Sequence, residues 1–249
     1  MIYKYIVVRG IFMIIRAKFL KKGILFACIG LAVGLTTRII YERKTQDTFS
    51  DITSATVVCD AGHGMPDGGA VGAAGTFEQE INLAITKKLD EVLESRGIEV
   101  VMTRNGDDGI YDEDADTIRK KKVDDMYKRL DIINNSGADL FVSIHMNSFA
   151  DSSVKGVHIF YNNENEQLKC AAEYIKNRIG DVTGAKIHEI KKASGDIFLM
   201  KNSQVPAILV ECGFLSNPKE EQLLKDEEYQ SKMAWAIADG IMEYLSRGA

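Results

Sequence analysis

Residues 56–72 read TVVCDAGHGMPDGGAVG. The first five, TVVCD, form a β-branched apolar run closed by an acid, the pattern of a strand buried on both faces. Positions 59–72 then hold five glycines and a lone histidine, His63. Glycine lets a backbone turn tightly or pass close to a ligand, at an entropic cost. Two explanations of the loop compete: it cradles a phosphate, or it presents His63 to a metal. A phosphate loop requires GxxxxGK[ST], or a clean GxGxxG leading straight into a helix. This stretch has neither pattern and no lysine.

The chain beyond the loop sets the fold class. EQEINLAITKKLDEVLESRG (78–97) places Ile81, Ala84, Ile85, Leu89, Val92 and Leu93 at helical spacing and closes on Arg96-Gly97. IEVVMT (98–103) reads as a second strand, 105–118 as an acidic loop and 119–136 as a helix. ADLFVSIH (138–145) is a third strand, GVHIFY (156–161) another, and a helix follows from about 165 to 179. Residues 184–204 read as irregular with short strands. PAILVE (206–211) is the last strand, with Pro206 at the first position, where proline is tolerated. Helices over 215–226 and 228–247 finish the chain. Buried strands alternating with amphipathic helices predict an α/β fold: three layers, α/β/α, with a mainly parallel sheet flanked by helices.

The 249 residues are 45% hydrophobic and 27% charged, enough for one sizeable core. The net charge of -5 hides an asymmetry. Nine Lys/Arg against the single acid Glu42 give residues 1–44 a charge of +8, which leaves -13 on the remainder. An acidic body argues against nucleic acid as a partner, because phosphate binding needs clustered cations. Lys18, Lys21 and Lys22 precede GILFACIGLAVGL (23–35), thirteen residues without a charge. That is the layout of a secretory signal, short of the roughly 20 apolar residues of a membrane span. Residues 1–44 are therefore expected to be a signal peptide or an N-terminal membrane anchor, and 45–53 a linker. Residues 54–249 form the folded body, exported, with membrane contact through the N-terminal segment. Cys28 follows LFA, but the apolar run continues past it, which argues against lipid attachment. Cys59 and Cys212 lie in strand-like runs as small buried hydrophobes and are expected to be unpaired.

In open α/β sheets, ligands gather beyond the carboxyl ends of the strands. After the first strand come His63 and then Glu78, which opens a helix. The third strand ends at His145 and the last at Glu211. Two histidines and two carboxylates thus meet at one edge of the sheet. A His, Glu, His set matches catalytic zinc, which takes three protein ligands and keeps one position open. The second glutamate suits a general base. His63 is read as a metal ligand. Plainer explanations exist for some of these residues: Glu78 also suits a helix N-terminus through the dipole, and His158 and His188 are read as ordinary histidines. Glu211 has the weakest plain explanation, because an acid closing the buried run PAILV is costly to leave unpaired.

The same residues carry a resemblance. VVCDAGHGMPDGGAVG, FEQEINLAI, GADLFVSIHMNS and VPAILVECGFLSN resemble, in order, the motifs of the zinc-dependent type 3 N-acetylmuramoyl-L-alanine amidases. The match runs over about 54–245. It implies that residues 54–249 are a zinc amidase catalytic domain in which His63, Glu78 and His145 bind Zn²⁺ and Glu211 is catalytic. Asn147 would contact substrate or back a ligand, and Arg129 of MYKRLDIIN would be structural. The family cleaves the amide between the lactyl group of N-acetylmuramic acid and L-alanine in peptidoglycan. A short, export-signalled member without a wall-binding module most resembles the CwlD-type sporulation amidases, which act on spore cortex and lead to muramic δ-lactam. That implies peptidoglycan and an accessory activating protein as partners. The location would be the outer face of the cytoplasmic membrane or the cell wall, and the forespore intermembrane space for a sporulation enzyme. The rival readings are another zinc peptidase of the wall and a pseudoenzyme that binds glycan or a partner without cutting.

Overall fold

A computed structural model describes residues 55–162 and 165–247, together with Thr36 and Arg38. The chain divides into two units, 1–50 and 51–249, and the sheet lies in the second. The expected signal peptide or anchor and the linker lie outside the described residues, apart from Thr36 and Arg38. Among the described residues, no helix is long and apolar enough to cross a membrane.

Six strands form one sheet: β1 (Thr56–Ala61), β2 (Glu99–Met102), β3 (Leu140–Asn147), β4 (His158–Tyr161), β5 (Lys191–Lys192) and β6 (Ala207–Phe214). Their spatial order is β2-β1-β3-β6-β4-β5. β2, β1, β3 and β6 pair in parallel, β4 runs antiparallel to β6, and β5 pairs in parallel with β4. The helices are α1 (Glu78–Ser95), α2 (Ile118–Asn135), α3 (Glu166–Thr183), α4 (Phe198–Asn202), α5 (Pro218–Leu224) and α6 (Glu227–Ser246). Several start where the sequence supplies an acceptor. The side chains of Thr117, Asn165, Asn217 and Asp226 each accept from a first-turn N–H, the role for which these residue types are preferred.

Alternation along the strands sorts the helices into two layers. Val57, Cys59, Leu140, Val142, Ile144, Ile208 and Val210 pack with Ile85 and Leu89 of α1, Ile175 of α3, and Ile237 and Ile241 of α6. Each fully buried side chain of this kind contributes roughly 1.5–3 kcal/mol. The intervening residues, Val58, Phe141, Ala207 and Leu209, join Ile133 of α2 and Leu199 and Met200 of α4 in a second, smaller cluster. The three-layer α/β/α expectation therefore holds. Cys59, Cys170 and Cys212 are free, as expected for the first and last of them.

Two details differ from the sequence reading. β3 continues to Asn147 and β6 to Phe214, so His145 and Glu211 stand within strands and face each other in register. The stretch expected to be irregular contains, besides the two-residue β5, the five-residue helix α4. Its apolar run IFLM packs onto the second cluster, and that tertiary contact gives a helical turn to a segment too short to announce itself by period.

Candidate metal centre

The loop after β1 is held from beneath by two buried arginines. Arg129 pairs with Asp60 at 2.7 Å and donates to the carbonyls of Ala61 and His63. Arg104 donates to the carbonyls of Ala61 (2.8 Å), Gly62 (3.1 Å) and Gln79 (2.8 Å). Asp60 also accepts from the hydroxyls of Thr103 and Ser143, both at 2.6 Å. Burial alone would push the Asp60 carboxyl up, but Arg129 and these hydroxyls outweigh it and bring it down to about 2. Asp60 is thus a fixed anion and Arg129 its fixed counterion.

On this base His63 adopts φ 62°, a left-handed conformation uncommon outside glycine and often found where a site over-determines the backbone. The glycines answer a spatial need. A Cβ on Gly62 would lie 2.2 Å from Nε2 of His145. One on Gly69 (φ +70°) would lie 2.6 Å from Oε2 of Glu78 and 2.8 Å from Cδ2 of His63. Gly62 and Gly69 thus let the loop run against the three side chains, while Gly64, Gly68 and Gly72 lie against Gly109, Phe77 and Glu221.

Those three converge. Glu78, buried at the first position of α1, accepts at Oε1 from the Met146 N–H (3.0 Å) and at Oε2 from the Ala70 N–H (2.8 Å). Nδ1 of His145 lies 3.0 Å from Oε1, and Nε2 of His63 lies 3.3 Å from Oε2. One ligand atom from each of His63, Glu78 and His145 lies within 4.8 Å of the others, a group able to hold a metal ion. The electrostatics fit a cation. Burial would raise Glu78, but the two imidazoles reverse this and hold its carboxyl well below the usual carboxylate range. Burial likewise pulls His63 down, yet the Asp67 and Glu78 carboxylates outweigh it and raise the imidazole to about 9. A buried carboxylate with two imidazole nitrogens draws positive charge to this point, and an N, O, N donor set suits a borderline divalent ion.

Glu211 stands beside this group on β6. Its Oε2 is buried and has no hydrogen-bond partner among the described residues. Burial, the largest influence on it, raises its carboxyl to about 7. A cavity of about 300 Å³ joins His63, His145 and Glu211 to an apolar wall that includes Met126, Leu199 and Met200.

The structure thus brings His63, Glu78 and His145 together, with Glu211 at the same cavity. It does not bring Asn147 to the cavity. Its side chain accepts from the Ser148 N–H at 2.8 Å, at the end of β3. His158 and His188 lie against one another, ring centroids 4.1 Å apart and planes tilted by 55°, outside the metal group. Sequence reasoning missed Asp60, Asp67, Arg104 and Lys122. Asp60 and Asp67 carried a signal, acids at the end of a buried strand and inside the glycine loop. Arg104 and Lys122 carried none, since a cation after a strand or in RKKK reads as solvated surface.

Residues 57–243 match the family described as N-acetylmuramoyl-L-alanine amidase. The chain is 34% identical over 190 residues to the germination-specific N-acetylmuramoyl-L-alanine amidase of Bacillus subtilis (strain 168), covering 76% of this chain and 79% of that protein. It is similar to the CwlD amidase from Clostridioides difficile, solved in complex with the GerS lipoprotein, with a TM-score of 0.74 and 43% identity over 78% of this chain and 99% of that one. The catalytic domain of CwlV, an amidase from Bacillus (Paenibacillus) polymyxa var. colistinus, aligns with a TM-score of 0.66 at 34% identity, over 77% and 98% of the two chains.

Proposed function

Because the chain belongs to the N-acetylmuramoyl-L-alanine amidase family, and is therefore a peptidoglycan amidase, we propose that His63, Glu78 and His145 hold one Zn²⁺ and that Glu211 is the catalytic carboxylate. The observation that carries this reading is the convergence of the three donors within 4.8 Å at the cavity that Glu211 also lines. Zinc held there would polarise the amide carbonyl and acidify water. Glu211 takes the proton of the attacking water and returns it to the departing nitrogen of L-alanine. A carboxyl held near neutrality by burial suits both halves of that exchange. Glu78 and the two histidines are fixed before substrate arrives, Glu78 by two backbone N–H groups and His63 by its loop. Met126, Leu199 and Met200, which line the same cavity, would shield one side of the reacting bond from water.

The narrower role is maturation of spore cortex. Its support is the 43% identity to the CwlD amidase and the germination-specific name of the B. subtilis relative. An exported body tethered or delivered by residues 1–44 follows from the sequence pattern. An accessory protein follows by analogy with the lipoprotein-bound CwlD. On that reading the body alone digests wall slowly, and efficient digestion by the isolated body would remove the need for a partner.

The deciding experiment is a digest of purified peptidoglycan with product analysis, paired with elemental analysis of the enzyme. Peptides with a free N-terminal alanine and one zinc per chain are expected. Internal stem-peptide fragments would make it a peptidase, no product a binding module, and full activity without metal would overturn the zinc site.

A further inference from the structure

α2 meets the glycine loop through charged side chains along one stripe, Lys122, Asp125 and Arg129. Asp125 pairs with Nε of Arg129 at 2.8 Å and accepts from the Ile110 N–H at 2.7 Å. Arg129 donates to the His63 carbonyl. Lys122 reaches instead to the loop itself, its Nζ 2.8 Å from Oδ1 of Asp67. The other oxygen of Asp67, Oδ2, lies 3.1 Å from Nδ1 of His63. A tight turn returns Asp67 to the ring: Gly64 and Asp67 exchange backbone hydrogen bonds of 3.0 and 2.9 Å. The Gly69 N–H, at 3.3 Å, adds a third hold on the carboxylate.

A neutral imidazole carries one N–H and one lone pair, and an ionised carboxylate only accepts. In a metal-bound state Asp67 would therefore keep the proton on Nδ1 and leave the Nε2 lone pair, on the Glu78 side of the ring, for the ion. Among the described residues His145 has no such second partner; it presents Nδ1 to Glu78, and its ring packs against Gly62. Both histidines thus meet Glu78, and among the described residues only His63 has a second carboxylate behind its ring.

We propose that Asp67 is a positioning residue for His63, fixing its tautomer and ring plane as a metal ligand, and that Lys122 holds Asp67 in that role. The proposal rests on the reading of His63 as a ligand. A carboxylate behind a ligating histidine is typically worth 10- to 100-fold in metal affinity.

The test is competition for Zn²⁺ between a chromophoric chelator and the full chain. Asp67→Ala should weaken zinc binding about 10- to 100-fold. Asp67→Asn keeps the shape and an acceptor oxygen, so its loss should be clearly smaller. Lys122→Gln should cost less than tenfold, and in the Asp67→Ala background it should cost nothing, because its partner is gone. A residue that only braces the loop would give equal losses for Ala and Asn and additive losses with Lys122. Either result overturns the proposal, as does wild-type affinity in Asp67→Ala. Should Asp67→Ala fail to fold, comparing Asp67→Asn, Lys122→Gln and their double variant asks the same question. A wild-type chain that takes up no zinc would instead overturn the metal site itself.

Discussion

Along β3, Leu140, Val142, Ile144 and Met146 point to the face covered by α1, α3 and α6, and all are buried in its core. Phe141, Ser143 and His145 point to the opposite face, where only Phe141 belongs to a core. β1 and β6 repeat the division. Val57 and Cys59 stand against Val58 and Asp60, and Ile208, Val210 and Cys212 against Ala207, Leu209 and Glu211. One face stays apolar to the ends of the strands. The other turns polar halfway up, and its α2 buries only Arg129 and Ile133. Because strand side chains alternate, a single strand serves both purposes, with stability on one side and chemistry at the carboxyl end of the other. What the second face lacks in apolar burial is met by a saturated polar layer around Asp60, Arg104 and Arg129.

Substitutions on the two faces should therefore separate activity from stability. Glu211→Gln, on the polar face, should lower release of alanine-terminated peptides about 10²- to 10⁴-fold, with zinc stoichiometry and melting temperature maintained. Zinc lost along with activity would make Glu211 a ligand and redraw the site. Arg129→Met lies where the faces' roles meet. It strands the buried Asp60 charge and should cost about 3–5 kcal/mol in urea denaturation, with weakened zinc binding because the His63 carbonyl loses its donor. Leu89→Ala, on the closed face, should cost about 2–5 kcal/mol by the same measurement and leave turnover per folded molecule unchanged. A change in zinc affinity there would break the division.

The smallest effect concerns pH. Burial, helped by His188, Lys191 and Lys186, lowers the imidazole of His158 to about 4 from an ordinary 6.5. The folded form therefore stays neutral where the unfolded chain takes up a proton. His158 costs nothing above pH 6.5, and stability falls as pH drops from 6.5 towards 4. His158→Gln should flatten that loss, measured as the change in denaturation midpoint between neutral and mildly acidic buffer. An unaltered slope would assign the acid sensitivity to other groups.

The layering and the cluster of His63, Glu78, His145 and Glu211 were legible in the sequence because His63, His145 and Glu211 follow or close apolar strand runs and Glu78 opens an amphipathic helix. Position within a strand was not. β3 and β6 continue past His145 and Glu211 through backbone pairing with one another, a tertiary fact with no local mark. The same holds for α4, which exists because Leu199 and Met200 have a sheet face to cover. The polar support under the site escaped for another reason. Arg104 and Lys122 look like any surface cation until the fold places a carbonyl or a carboxylate against them. Asn147 shows the converse: its motif was legible, while its side chain is engaged with the neighbouring Ser148 N–H.

The strand order has a bearing on when this site can assemble during synthesis. β6 is the last strand to be synthesised, yet it lies between β3 and β4 in the interior of the sheet. It also carries Glu211, and the segment just after it contributes Glu221, whose carboxylate accepts from the Ala74 and Thr76 N–H groups at the far end of the glycine loop. A growing chain that stops short of residue 207 has its histidines and Glu78 but neither the wedge that unites the sheet nor the acid at the cavity. The sheet of such a fragment is two separate pieces, and pairing over so long a sequence separation comes late and slowly. Ribosomal order thus leaves both the union of the sheet and the acid at the cavity until β6 has been made.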